Sequence, residues 1–209
     1  MNTIFCLVSR QAMANVLPVL MYMPKQVVLF TTPEERQCAD NLGKLFESKN
    51  IEVKRIDGLD AYDYNQFKDT VKNELELQRD DVWLNVTGGT KLMALAAYEA
   101  FAEEKRNIIY CDTEHSKIIS LYPEYNLSDL RADISIKDYL LSYGYEIVEI
   151  KKTTNEQNYL DLYHFVQKND KLGSLLNLFQ RVRNKLANES TIKPKFTESS
   201  IDSVFRFHK

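Results

Sequence analysis

Short apolar runs of strand length alternate with helix-period segments along the first 125 residues, and this alternation constrains the fold more than any other feature of the chain. Residues 3–8, 27–30, 51–56, 82–86, 107–111 and 118–121 are the strand-like runs. Between them, residues 13–23, 34–48, 64–77 and 90–104 read as helices. Cys38, Leu42, Leu45 and Phe46 give the second of these its helical spacing, and Phe67, Val71 and Leu75 the third. Pro18 inside the first is expected near that helix's first turn, where its missing N–H and its ring are tolerated. Short strands buried on both faces and separated by helices predict an α/β fold: a Rossmann-like, doubly wound, mainly parallel sheet.

Beyond residue 125 the pattern changes. Residues 135–142 read as a short helix and 145–150 as a strand. Residues 157–186 hold two amphipathic helical stretches split near Asn169 and Asp170, and a polar tail runs from 188 to 209. The expected organisation is a ligand-binding domain over 1–150, then a small helical C-terminal appendage, or linker to an effector domain, over 151–209. About 60 residues is little from which to build an independent enzyme fold.

Charge and cysteine usage narrow the partners. A formal net charge of −3 and a pI near 5.7 give no global field that would draw nucleic acid or an acidic membrane. An anionic ligand must therefore be held by local donors, and no sequence-specific DNA binding is expected. Cys6, Cys38 and Cys111 lack metal-type spacing, and the strand positions of Cys6 and Cys111 suit buried thiols in a reducing cytosol. No apolar run reaches the roughly 18 residues that span a bilayer, and the start lacks a signal peptide's basic flank and cleavage site. A cytoplasmic protein without a membrane partner is the expectation.

In an open parallel sheet, ligands bind outside the carboxyl ends of the strands, so the segments that follow each strand carry the chemistry. After the fourth strand, Thr87-Gly88-Gly89-Thr90-Lys91 runs straight into an Ala-rich helix. The glycines allow close backbone approach, Thr90 can cap the helix, and the helix start and Lys91 together favour an anion. A plain strand-to-helix turn needs only the cap. After the first strand, Ser9, Arg10, Gln11 and Asn15 offer donors to phosphate, ribose or base edges, though an ordinary polar turn has the same composition. Thr31, after the second strand, reads first as helix-cap chemistry with Pro33 in the first turn, and second as a ligand contact. Asp112, after the fifth, can meet ribose hydroxyls or close a tight turn.

Other chemistries lack their motifs. The Thr90–Lys91 loop is not a Walker A loop, and no GxGxxG follows the first strand, so dinucleotide cofactors and P-loop hydrolysis are disfavoured. No cofactor is expected. His115, His164 and His208 are far apart and no HExxH occurs, so no metal site is expected. Glu149-Ile150-Lys151 matches half of a PD-(D/E)xK nuclease motif, but the same spacing recurs at Glu52/Lys54 and Glu103/Lys105.

Leu7-Val8-Ser9-Arg10-Gln11 with Asn15 and Leu17-Pro18, and then the stretch from Leu84 through Thr87-Gly88-Gly89-Thr90-Lys91 to Met93, together resemble the CARF domain, the CRISPR-associated Rossmann fold. The branch they resemble is the sensor half of CARF-linked PD-(D/E)xK nuclease effectors of type III CRISPR defence. The resemblance covers roughly residues 1–150. Ala14 stands where that branch often carries proline. Family effectors continue well past the length of this chain, which makes a truncated or standalone sensor, or one with a separate effector, the expectation.

The resemblance implies binding of a cyclic oligoadenylate, with cyclic tetra-adenylate as the expected ring, across a homodimer. Ser9, Gln11, Gly88, Gly89, Thr90 and Lys91 carry over as ligand contacts, followed by Thr87 and Asn15. A two-fold ring with four phosphates could meet two copies of the same helix start. Two alternatives stand beside the sensor. One is a metal-independent ring nuclease in which Ser9 and Lys91 are catalytic; the other is an interaction module that docks a partner through its C-terminal helices.

Overall fold

The computed structural model describes residues 1–78 and 81–145. The chain divides into two compact units, Met1–Gly144 and Tyr145–Lys209. The strand expected over 145–150 and the helices expected within 157–186 lie outside the described residues.

The elements run β1 (Thr3–Leu7), α1 (Met13–Tyr22), β2 (Gln26–Phe30), a 3₁₀ turn (Pro33–Glu35), α2 (Arg36–Ser48), β3 (Glu52–Ile56) and α3 (Tyr64–Glu76). They continue as β4 (Val82–Asn85), α4 (Lys91–Glu103), β5 (Asn107–Asp112), β6 (Lys117–Tyr122), β7 (Asn126–Asp129) and α5 (Ile136–Ser142). The seven strands form one sheet in the order β3-β2-β1-β4-β5-β6-β7. The first five are parallel, and β6 and β7 are added antiparallel at one edge. The doubly wound, mainly parallel sheet read from the sequence is the observed architecture. β7 was not expected: its residues are mostly exposed, so no apolar periodicity announces it.

Alternate residues of the central strands explain the layering. Phe5, Leu7, Val28, Phe30, Leu84 and Ile108 point to one face, where Phe67, Val71 and Leu75 of α3 and Met93, Ala96 and Ala100 of α4 cover them. Phe5 sits at the centre of that layer, its ring 5.2 Å from Phe30 and 5.3 Å from Phe101. Ile4, Cys6, Val27 and Leu29 are equally buried on the other face, the side of α1, α2 and α5. Both faces are closed, and the apolar runs of the sequence follow from that. Burial pushes the thiols of Cys6 and Cys111 up to about 12, so both remain protonated and act as small apolar side chains.

One expectation is overturned. Pro18 is not near the first turn of α1; it is the sixth residue of a ten-residue helix. A proline there removes the N–H that would bond the carbonyl of Ala14. The side chain of Asn85, at the end of β4, replaces it: Nδ2 donates to the Ala14 carbonyl at 2.9 Å. The interior proline is tolerated because a buried amide on the neighbouring strand does the work of the missing backbone donor.

Candidate anion-binding site

The chain reverses direction of winding between β1 and β4, which lie side by side in parallel with Cys6 opposite Asn85. From β1 the chain leaves through α1 to β2 on one side; from β4 it leaves through α4 to β5 on the other. This is the topological switch point, where diverging loops open a crevice at the carboxyl edge of the sheet. The segment Ser9–Ala12 and the segment Thr87–Thr90 both border it.

A buried polar network ties the two segments together. Asn15 Nδ2 donates to the Leu7 carbonyl at 2.8 Å, and Asn85 Nδ2 donates to Asn15 Oδ1 at 2.9 Å as well as to Ala14. Asn85 Oδ1 accepts the Thr87 backbone N–H at 3.2 Å and the Thr87 hydroxyl at 2.5 Å. Thr87 Oγ1 in turn accepts the Cys111 N–H at 2.7 Å, which stitches β4 to β5. Asn15 and Asn85 are fully buried. Asn15, Asn85 and Thr87 therefore form the floor of the site rather than its surface.

The glycines press onto that floor. A Cβ on Gly88 would lie 2.1 Å from the Leu7 carbonyl oxygen, so no side chain fits. Gly89 has φ +73°, and a Cβ there would meet the Leu7 side chain at 2.9 Å. Thr90 caps α4 as expected, its hydroxyl accepting the Met93 N–H and donating to the Ala61 carbonyl, both at 3.2 Å. Among the described residues, the N–H groups of Gly88, Gly89, Lys91 and Leu92 have no hydrogen-bond acceptor. Four unsatisfied donors at a glycine turn and a helix start suit an anion.

The expected site residues separate by where their side chains go. Arg10, Gln11 and Lys91 are exposed and Ser9 is half-buried. The Ser9 hydroxyl, the Gln11 amide and the Lys91 ammonium have no partner among the described residues. Arg10 pairs with Glu35, Nε to Oε1 at 3.4 Å. Thr31 is wholly buried and its hydroxyl has no partner among the described residues. Asp112 closes the β5–β6 turn: its Oδ1 accepts from the N–H groups of Glu114 and His115 at 3.1 Å each, and its Oδ2 lies 2.8 Å from His115 Nδ1. Burial pushes the Asp112 carboxyl upward, but His115 outweighs it and holds the value below the usual range; the same contact raises His115. Among the described residues, no cluster of His, Cys, Asp and Glu could hold a metal ion, and no helix is long and apolar enough to cross a membrane.

Sequence reasoning missed two residues. Asn85 organises the floor, and its signal was a lone amide in the apolar run Val82–Val86. Glu35 neutralises Arg10, and nothing local announces a contact between residues 25 positions apart; it depends on β1 lying beside β2.

A doubly wound sheet that carries, among the described residues, unfilled backbone donors and an unpaired lysine at its switch point is an α/β domain with a candidate anion site of the nucleotide-binding type. The chain belongs to the Card1 CARF domain family, which matches residues 3–139. Among solved structures, Can2 from Sulfobacillus thermosulfidooxidans in complex with cyclic tetra-adenylate is 27% identical, with a TM-score of 0.66 over 99% of this chain and 57% of that one. Protein VC1899 from Vibrio cholerae shares the fold at 19% identity and TM-score 0.66, over 90% of this chain and 50% of its own. A type III CRISPR defence DNA nuclease activated by cyclic oligoadenylate shares it at 19% identity and TM-score 0.62, over 98% of this chain and 32% of its own. The chain spans at most 57% of each of these proteins. No curated protein sequence matches it.

Proposed function

We propose that this domain is a sensor of cyclic oligoadenylate, cyclic tetra-adenylate in particular, in type III CRISPR defence. Two copies of the chain clasp one ring, and a linked or separate effector reads the bound state. The observation that carries this reading is that, among the described residues, the N–H groups of Gly88, Gly89, Lys91 and Leu92 are unpaired, with the Lys91 ammonium unpaired beside them. Family membership and the cyclic tetra-adenylate complex of Can2 support the choice of anion. The free, buried thiols of Cys6 and Cys111 suit a reducing cytoplasm.

The phosphates of the ring would occupy the α4 start, where donors and dipole favour negative charge without a metal. Ser9 and Gln11, on the facing loop, would reach ribose and base edges. Titration calorimetry of wild type and Lys91→Ala against cyclic tetra-adenylate at fixed ionic strength tests the assignment. The variant is expected to bind at least tenfold more weakly, about 1.4 kcal/mol. An unchanged dissociation constant in a variant whose thermal melt matches wild type would remove Lys91 from the site.

A further inference from the structure

We propose that Glu35 sets the affinity of this site by holding Arg10 as its counter-ion until a ligand phosphate takes the arginine away. The inference rests on the cyclic-oligoadenylate reading above.

The two partners of the Arg10–Glu35 pair are unequally placed. The Arg10 side chain is 84% exposed on the loop after β1, whereas the Glu35 side chain is only 17% exposed. Glu35 Oε2 is buried with no conventional hydrogen-bond partner. The polar group beside this carboxylate is the Cys38 thiol, a weak donor, pushed up to about 11 by burial first and by Glu35 second. Arg10 is the cation paired with Glu35 among the described residues. The second buried oxygen without a partner, Thr31 Oγ1, lies in the same segment between β2 and α2.

A buried acceptor left unmatched is rare in folded proteins, and among the described residues Arg10 is the cation that balances this carboxylate. Arg10, in water, loses little by exchanging one anion for another and gains a two-pronged fit on a phosphate. Glu35 cannot make the exchange symmetrically. Once Arg10 turns to the ligand, a mostly buried carboxylate is left without its cation, a penalty charged against binding. Glu35 therefore raises the ligand concentration needed to fill the site, although it touches no ligand itself. Glu34 is the natural control: it is the adjacent carboxylate, it is exposed, and its own backbone N–H first and Thr32 second hold its carboxyl below the usual range.

Calorimetry with cyclic tetra-adenylate on the full chain, at one ionic strength, tests this with wild type, Glu35→Gln, Arg10→Ala, the double variant and Glu34→Gln. Glu35→Gln is expected to tighten binding threefold or more, and Arg10→Ala to weaken it fivefold or more. The double variant should fall within twofold of Arg10→Ala, and Glu34→Gln within twofold of wild type. Thermal melts establish folding, and Glu35→Ala is the second variant, expected to shift binding in the same direction. Tightening by Glu35→Gln no larger than by Glu34→Gln, or persisting in the Arg10→Ala background, overturns the proposal. Failure of wild type to bind sinks the ligand reading itself. Binding that is sensitive to Lys91→Ala but flat across the Glu35 variants sinks only the role of Glu35.

Discussion

Asn85→Ala is the most informative perturbation of the floor, because its cost should depend on a proline 67 positions away in sequence. The substitution deletes two donated bonds, to Ala14 O and Asn15 Oδ1, and two accepted ones, from the Thr87 N–H and hydroxyl. Thr87 is half-buried, and water can replace part of what it loses. The Ala14 carbonyl has no such recourse, since Pro18 offers no N–H. A buried acceptor without a partner costs about 1–3 kcal/mol, and the lost bond to Asn15 adds about 1 kcal/mol, so a total of about 2–4 kcal/mol is expected. In a Pro18→Ala background the new N–H at position 18 restores the helical bond to Ala14. The cost of Asn85→Ala should then fall by about 1–2 kcal/mol, within the range seen for coupled neighbours. Urea unfolding of the four proteins, with equal slopes required, measures this coupling. Costs additive to within about 0.5 kcal/mol would refute the link between Pro18 and Asn85, because contacting residues that share a partner should couple by more than that.

Further outcomes follow from the same geometry. Gly88→Ala puts a methyl group 2.1 Å from the Leu7 carbonyl, so the loop must move; a drop in melting temperature and at least tenfold weaker ligand binding are expected, and a wild-type profile would contradict the packing. Asp138 pairs with Lys49 at 2.8 Å. Burial pushes the Asp138 carboxyl up, but Lys49 and Ser135 override that and leave it lowered. Its contribution is therefore complete above the ordinary carboxylate value of about 4 and is lost as pH falls through the depressed one. Asp138→Asn should flatten the acid limb of the stability profile, and an unchanged limb below about pH 4 would count against the pair. Calorimetry should give one cyclic tetra-adenylate per two chains, because a two-fold ring meets two equivalent loops; one ring per chain would break the symmetry argument.

The sheet was legible in the sequence because burial on both faces leaves unbroken apolar runs, and the helix spacing between them is equally local. The Thr87–Lys91 loop was legible for a similar reason: two glycines, a cap and a lysine in five residues exceed what a turn needs. What could not be read is the direction in which each polar side chain points. Asn15 and Thr87 read as ligand donors and Thr31 first as a helix cap, yet Asn15 and Thr31 are buried, Thr32 rather than Thr31 is the cap residue, and the Thr87 hydroxyl is bonded on both sides. Pairings across strands were beyond reach, Arg10 with Glu35 above all, because they depend on strand order rather than on neighbours in sequence. β7 was missed because an exposed edge strand carries no apolar alternation to detect.

The floor and the rim of the site have separate physical roles. Leu7, Asn15, Ala14 and Asn85 are joined by buried hydrogen bonds of 2.8–2.9 Å, and Gly88 rests against the same Leu7 carbonyl. The spacing between the two loops is thus fixed by groups that water cannot reach, and the backbone of Gly88 and Gly89 is held against Leu7 by the same packing. A backbone already held avoids an ordering cost on binding. The rim is the adjustable part: among the described residues, Ser9, Gln11 and Lys91 have no partner and Arg10 is held by its contact with Glu35. Substitutions in the floor should therefore change stability and binding together, whereas substitutions on the rim should change binding alone. Among the described residues, Arg10 is the rim side chain that would give up an existing partner to engage a ligand, so under the proposed exchange discrimination between weak and strong anions would rest on it.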